Sequence, residues 1–222
     1  MVSLFVTGTN TGVGKTVFSY LLAKALKKQG IKVGYWKPVE TGAEPIPPDA
    51  TLLLELLNQT LEETVTYTFR LPLAPAVAEK YEGERIKIET LWEIYQRKVK
   101  NYEFLIVEGA GGLAVPIKGT YTYGDLAKEL KIPTIIVADA KLGTINCSYL
   151  TAYYGRSKNL VLLGFVFNNF TGKDISEKDN PQVVEEMTHL KVRFKIPYLE
   201  DWRNYELSEE EVKSFLKGLN FK

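Results

Sequence analysis

The chain predicts an α/β fold: one parallel sheet covered by helices on both faces, within a single domain. Three observations lead there. Short apolar runs rich in β-branched residues alternate with helical stretches along the sequence. Strands that are nearly continuously apolar are buried on both faces, which is the signature of a parallel sheet with crossover helices. The first run, residues 2–6, leads into Gly8-Thr9-Asn10-Thr11-Gly12-Val13-Gly14-Lys15-Thr16 and then a helical stretch, the context a phosphate-binding loop requires. At 222 residues the chain suits one domain with a sizeable core. The fold class is therefore the phosphate-loop NTPase type of α/β domain.

The elements follow in order. Residues 2–6 give the first strand and 16–29 the first helix. Residues 31–36 give a second strand that ends at Lys37-Pro38. A proline-rich loop, 45–48, precedes a helix over 49–57, and 89–99 reads as a surface helix. Residues 104–107 form a buried strand followed by Glu108 and a glycine cluster. A strand over 133–138 and a helix over 145–154 come next, then a strand over 160–167 ending at Asn168-Asn169. Helices over 181–190 and 208–216, with a short strand over 192–196 between them, close the pattern. The sequence contains no repeat, no low-complexity tract and no long linker.

Composition removes several function classes. Lys and Arg number 28 against 27 Asp and Glu, so no basic surface argues for nucleic acid. No stretch is apolar enough over sufficient length to span a bilayer, and residues 2–6 lack the features of a signal peptide. Cys147 is the only cysteine, which excludes an internal disulfide and agrees with a reducing, cytoplasmic setting. Cys147 reads as an ordinary helix residue rather than a nucleophile. His189, the only histidine, lies near the end of a surface helix and reads as a solvated or packing residue.

In a parallel sheet the ligand crevice lies beyond the carboxyl ends of the strands. Four candidates fall there: the phosphate loop, Lys37, Glu108 and Asn168. A polar residue after an apolar run can be a plain strand terminator, but four on one edge are harder to explain that way. Backbone N–H groups of the loop converge on phosphate oxygens, and the helix N-terminus adds partial positive charge. Lys15 reaches the terminal phosphates and the Thr16 hydroxyl suits Mg²⁺. Glu108 sits where such a sheet places a Mg²⁺ carboxylate, and the cation needs only one or two carboxylates besides phosphate oxygens. Asp49 is either the second carboxylate or a helix N-cap. Lys37 suits charge developing on a transferring phosphoryl group. Gly109-Ala110-Gly111-Gly112 lets a ligand approach the backbone closely, and the Asn168 amide suits a purine edge.

These motifs together resemble the dethiobiotin synthase family. The resemblance rests on Val6-Thr7-Gly8-Thr9-Asn10-Thr11-Gly12-Val13-Gly14-Lys15-Thr16, Lys37-Pro38-Val39-Glu40-Thr41-Gly42 and Val107-Glu108-Gly109-Ala110-Gly111-Gly112. It continues through Lys141-Leu142-Gly143-Thr144-Ile145-Asn146 into Asn168. Thr41 stands where the family has serine and Asn169 where it has aspartate, and the loop from Gly42 to Asp49 is short. The resemblance implies an ATP-dependent ligase that joins CO₂ to 7,8-diaminononanoate, closing a cyclic urea with release of ADP and phosphate. A carbamate would form on one amine, be phosphorylated to a mixed anhydride, and be closed by the neighbouring amine.

The same resemblance implies roles. Gly12, Val13, Gly14, Lys15, Thr16, Val17, Asp49, Glu108, Gly109, Ala110, Gly111, Asn168 and Asn169 would bind ATP, with Pro197, Tyr198 and Leu199 on the nucleotide. Thr16, Asp49 and Glu108 would hold Mg²⁺, and Lys15 and Lys37 would offset phosphoryl charge. Thr11, Thr41, Gly111, Gly112 and Leu113 would face the diamine. Gly143, Thr144 and Asn146 would receive its carboxylate across a two-fold homodimer with shared sites. Two other classes are weighed against this. A partition or positioning ATPase carries a second lysine early in the phosphate loop, where this chain has Asn10. An amidase of related fold needs a glutamine-hydrolysing domain, for which the chain is too short.

Overall fold

The computed structural model describes residues 2–219. Its strands are β1 (Val2–Gly8), β2 (Val33–Thr41), β3 (Val65–Phe69), β4 (Phe104–Gly112), β5 (Pro116–Lys118), β6 (Tyr121–Thr122), β7 (Thr134–Asp139), β8 (Leu162–Phe170) and β9 (Val192–Pro197). Seven of them form one sheet in the order β3-β2-β4-β1-β7-β8-β9. Every neighbouring pair in it is parallel. β5 and β6 make a small antiparallel ribbon.

The helices are α1 (Lys15–Lys28), α2 (Pro48–Leu57), α3 (Leu61–Thr64), α4 (Pro75–Glu82), α5 (Ile88–Lys98), α6 (Tyr123–Glu129), α7 (Thr144–Ser157), α8 (Ser176–Thr188) and α9 (Glu209–Gly218), with a 3₁₀ turn at Trp202–Asn204. Among the described residues, no helix is long and apolar enough to cross a membrane.

Side-chain alternation explains the two layers. Leu4 and Val6 of β1 pack with Phe18, Leu22 and Leu26 of α1, Leu53 of α2 and Phe215 of α9. Phe5, between them, packs on the opposite face with Leu91 of α5 and Leu126 of α6. Ala152 of α7 and Val184 of α8 cover Ile136 and Phe167 beyond them. Both faces of the central strands are dry, which is why their sequences read as apolar runs instead of alternating ones.

The strands that carry Lys37, Glu108 and Asn168 run further than their apolar stretches. β2 continues through Lys37 and Pro38 to Thr41, because it changes partner there. Its pairing with β4 ends at Trp36 opposite Val107, and its pairing with β3 begins at Lys37 opposite Val65. β4 continues through Glu108 and the glycines, held by Glu108 opposite Val6 and Gly112 opposite Gly8. β8 runs through Asn168 and Asn169 to Phe170. Lys37, Glu108 and Asn168 thus belong to the strands rather than following them.

Other elements lacked an apolar run to announce them. The short, one-faced β3 and the small helices α3, α4 and α6 were not anticipated. Local signals for the helices do exist: capping boxes at Thr60/Glu63 and Thr122/Asp125, and Pro75 at the first turn with Gly83 in the left-handed region after the last. α8 begins at Ser176, so Pro181, expected at its start, lies inside it. Cys147 is a partly buried residue of α7, and His189 caps the end of α8.

The packing of α1 against β9 and α9 rests on tilted and edge-on ring contacts. Phe18 meets Phe194 at 5.4 Å between centroids, and Phe194 meets Phe215 at 5.3 Å. Phe18→Ala should lower the unfolding free energy by about 3–5 kcal/mol, read by urea denaturation. A loss below about 1 kcal/mol would show that the layer closes without this ring.

Candidate active site

The site begins with strand adjacency. β2, β4 and β1 lie side by side, so Lys37, Glu108 and the start of the phosphate loop emerge on one edge. Val6 is opposite Glu108, and Trp36, just before Lys37, is opposite Val107.

Glu108 is fully buried and each oxygen is taken. Oε1 accepts from Thr16 Oγ1 at 2.9 Å and from Lys37 Nζ at 3.3 Å. Oε2 accepts from Ser19 Oγ at 2.6 Å. Lys37 Nζ also donates to Asp49 Oδ2. One ammonium therefore bridges two carboxylates. Burial by itself lowers the Lys37 pKa, but Glu108, Asp49 and Glu40 more than offset this and hold it above the ordinary lysine value. Burial pushes the Asp49 carboxyl up, yet Lys37, with Thr16 and Lys15, holds it below the ordinary range.

The N-cap reading of Asp49 does not survive. The cap position of α2 is Pro47, and Asp49 is the second residue of the helix, in its first turn, with its side chain on Lys37. The helix start is served from another element. Glu40 of β2 accepts from the Asp49 N–H at 2.7 Å and the Ala50 N–H at 3.0 Å. Sequence reasoning passed over Glu40 because its direction departs from strand alternation. Trp36 and Val39 both pack into the layer under α4 and α5, three residues apart rather than two, and Glu40 then turns toward α2.

The phosphate loop is braced rather than loose. Gly14 has φ 97°, which favours glycine. A Cβ there would lie 1.9 Å from Asn168 Nδ2. That amide donates to the Val13 carbonyl at 3.1 Å and to Asn169 Oδ1 at 3.2 Å. Asn168 thus buttresses the loop, a duty its position after an apolar run did not suggest. Asn169 adopts φ 64° beside it. Lys15 Nζ donates to the Asn10 carbonyl at 3.3 Å. Burial lowers its pKa against the pull of Glu108.

A cavity of about 660 Å³ opens above these groups. Thr11, Gly12, Gly14, Lys15, Thr16, Val17, Lys37, Thr41, Asp49, Ala110 and Gly111 line it. Glu108 lies beneath, and Gly109 packs near Phe5 and Tyr123. Pro72, Leu73, Val115, Trp202 and Arg203 also line the cavity and were not anticipated. Trp202 is fixed edge-on to Tyr20 at 5.2 Å, with Arg203 over its ring.

Pro197, Tyr198 and Leu199 are not on this wall. Pro197 ends β9, and Tyr198 is exposed with its N–H on the Phe170 carbonyl. Gly112 and Leu113 instead face a second cavity of about 570 Å³, shared with Asn10, Thr11 and the α7 residues Cys147, Leu150 and Thr151. Gly143, Thr144 and Asn146, at the start of α7, line neither cavity.

The donors fit a hard divalent cation. Thr16, Glu108 and Asp49 offer only oxygen, as Mg²⁺ prefers, and phosphate oxygens complete such sites. Among the described residues no cluster of three or more His, Cys, Asp or Glu stands together that could hold a metal ion by itself.

A family model described as an AAA domain matches residues 2–206. The chain is 49% identical over 198 residues to the ATP-dependent dethiobiotin synthetase of Aquifex aeolicus, covering 89% of this chain and 90% of that protein. The chain belongs to the dethiobiotin synthetase family. The enzyme of the same name from Bacillus subtilis is 41% identical over 84% of this chain and 83% of its own length. That from Methanococcus vannielii is 44% identical over 78% and 81%.

Solved structures similar to this dethiobiotin synthetase-family fold include the MinC:MinD cell division protein complex of Aquifex aeolicus. It has a TM-score of 0.60 at 15% identity, covering 92% of this chain and 85% of that one. A ParA family ATPase from Chlorobium tepidum has 0.57 at 16%, covering 100% and 93%. At that identity the likeness shows the fold alone.

Gly14→Ala should weaken binding of a non-hydrolysable ATP analogue by roughly tenfold or more, since such strain amounts to about 1–3 kcal/mol. Calorimetric titration reads it, and unchanged affinity would mean that Asn168 moves aside freely.

Proposed function

We propose that this protein is an ATP-dependent dethiobiotin synthetase that carboxylates and closes 7,8-diaminononanoate with CO₂. The observation that carries the reading is one cavity holding a phosphate loop, a carboxylate-bound Lys37 and oxygen donors for a cation, in a chain of this family. One amine of the diamine captures CO₂ as a carbamate. A carbamate oxygen attacks the γ-phosphorus of ATP and ADP leaves. The second amine then attacks the carbonyl of the mixed anhydride and phosphate leaves.

The residues supply charge and placement. Lys15, at the loop, and Lys37, at the strand edge, offset charge on the transferring phosphoryl group. Lys37 is bound to two carboxylates that favour its charged form, which suits the role of a cation. Thr16, Asp49 and Glu108 would hold Mg²⁺, which when bound neutralises phosphate oxygens. Thr41, Thr11 and the Ala110-Gly111 backbone border the place for the diamine. Holding the second amine beside the anhydride gives the intramolecular advantage and keeps water from competing.

The working unit we propose is a cytoplasmic homodimer with shared sites. Leu142, Tyr149, Leu150 and Tyr153, on and just before α7, are exposed, an apolar face that suits burial against a second copy. No side chain caps the start of α7, so its first N–H groups suit a carboxylate. Gly143, Thr144 and Asn146 would meet the substrate of the other subunit. Each two-fold interface then completes two sites.

Incubation with ATP, bicarbonate and the diamine should yield dethiobiotin, ADP and phosphate in equal amounts. ATP cleavage without a cyclic urea would overturn the reading. Lys37→Met should lower kcat far more than it raises KM for ATP; a loss confined to KM would make Lys37 a ground-state binder.

Mixing separates shared from private sites. Lys37→Ala and Asn146→Trp homodimers should each be nearly inactive. Their heterodimer contains one site with both defects and one with neither, so up to about half the activity per dimer returns. No recovery after proven subunit exchange would place the whole site within one chain.

A further inference from the structure

The reaction above gives Glu40 no task, yet its carboxylate is 1% exposed and ordered by two backbone groups. Those groups, the N–H of Asp49 and of Ala50, are the first free donors after Pro48 in α2. A cap from residue 47 would be the ordinary local solution, but that position is proline and offers no acceptor. The carboxylate instead reaches across from β2, where Glu40 is held in register opposite Thr68 of β3.

Two bonds from one planar group fix both the height and the rotation of the first turn. Asp49 is the residue held, so its side chain leaves the helix toward Lys37 rather than solvent. The segment joining β2 to α2 does little of this work, since residues 44–46 are exposed. A buried carboxylate is a costly capping group, and burial raises its pKa. The cost is explained if the attachment sets where Asp49 points.

We infer that Glu40 is a positioning residue for the metal-side carboxylate, tying α2 to β2 so that Asp49 faces Lys37 and the phosphate loop. This rests on the reading of Asp49 as a Mg²⁺ ligand. Partners one step behind a metal ligand typically change metal affinity by about 10–100-fold when altered.

The test uses the full-length protein and four variants: Glu40→Gln, Glu40→Ala, Asp49→Asn and the Glu40→Gln/Asp49→Asn pair. Two quantities are read: the free Mg²⁺ that half-activates ATP cleavage, and hydrogen exchange at the Asp49 and Ala50 amides without metal. Glu40→Gln keeps the volume and should raise the half-activating Mg²⁺ about tenfold, with a much smaller change in kcat. It should also speed exchange at one or both amides, and Glu40→Ala should speed both. Added to Asp49→Asn, it should give no further Mg²⁺ shift.

A raised Mg²⁺ requirement in Asp49→Asn but not in Glu40→Gln overturns the positioning role. So does a Glu40→Gln shift that adds in full to that of Asp49→Asn, or a fall in melting temperature alone. If Asp49→Asn leaves the Mg²⁺ requirement unchanged, the metal reading of Asp49 fails first and this inference falls with it. Should Glu40→Ala not fold, Glu40→Gln carries the test unaided.

Discussion

The rest of the site depends on a buried ion cluster: the Lys37 ammonium held between Glu108 and Asp49. Charges in an apolar interior are tolerated only when paired and hydrogen-bonded, and removing one partner of such a pair costs about 3–5 kcal/mol. Here the pairing crosses three elements. Glu108 comes from β4, Lys37 from β2 and Asp49 from α2, while Thr16 and Ser19 of α1 complete the Glu108 shell. The same bonds that satisfy the charges also fix the relative positions of the phosphate loop, the strand edge and the second helix.

That cluster explains why β2 and β4 remain extended beyond their apolar runs. Were β2 to end at Trp36, Lys37 would enter a loop and its ammonium would lack a rigid route to Glu108. Pairing with β3 carries the strand through a proline that cannot donate, and places Glu40 where it can seize the start of α2. On the other side, the glycines of β4 bring Gly112 opposite Gly8. A backbone without side chains lies between the two cavities.

The phosphate loop has a parallel constraint. Gly14 fits only because nothing projects from it toward Asn168, and Asn168 in turn holds the Val13 carbonyl. β8 therefore braces the backbone of the phosphate loop through Asn168. Trp202 and Arg203 also line the cavity, in a segment whose sequence has no phosphate-loop signature.

Periodicity and punctuation were enough to read the alternation of strands and helices, the phosphate loop, and the strand edge on which Lys37, Glu108 and Asn168 stand. These are local properties: apolar runs buried on both sides, a glycine-rich turn before a helix, a polar residue after each run. The helices α3, α4 and α6 carried local signals too, in their capping boxes and terminal proline. What tertiary structure alone decided was direction and partnership. Whether Asp49 capped its helix or met Lys37 depended on Glu40, eight positions before Pro48 in the chain and reachable only once β2 lies beside α2. That Asn168 braces the loop at Val13 depended on a glycine more than a hundred and fifty residues away. Sequence spacing encodes which face a side chain leaves from; it does not encode which distant group will satisfy it, because that is settled by packing between elements.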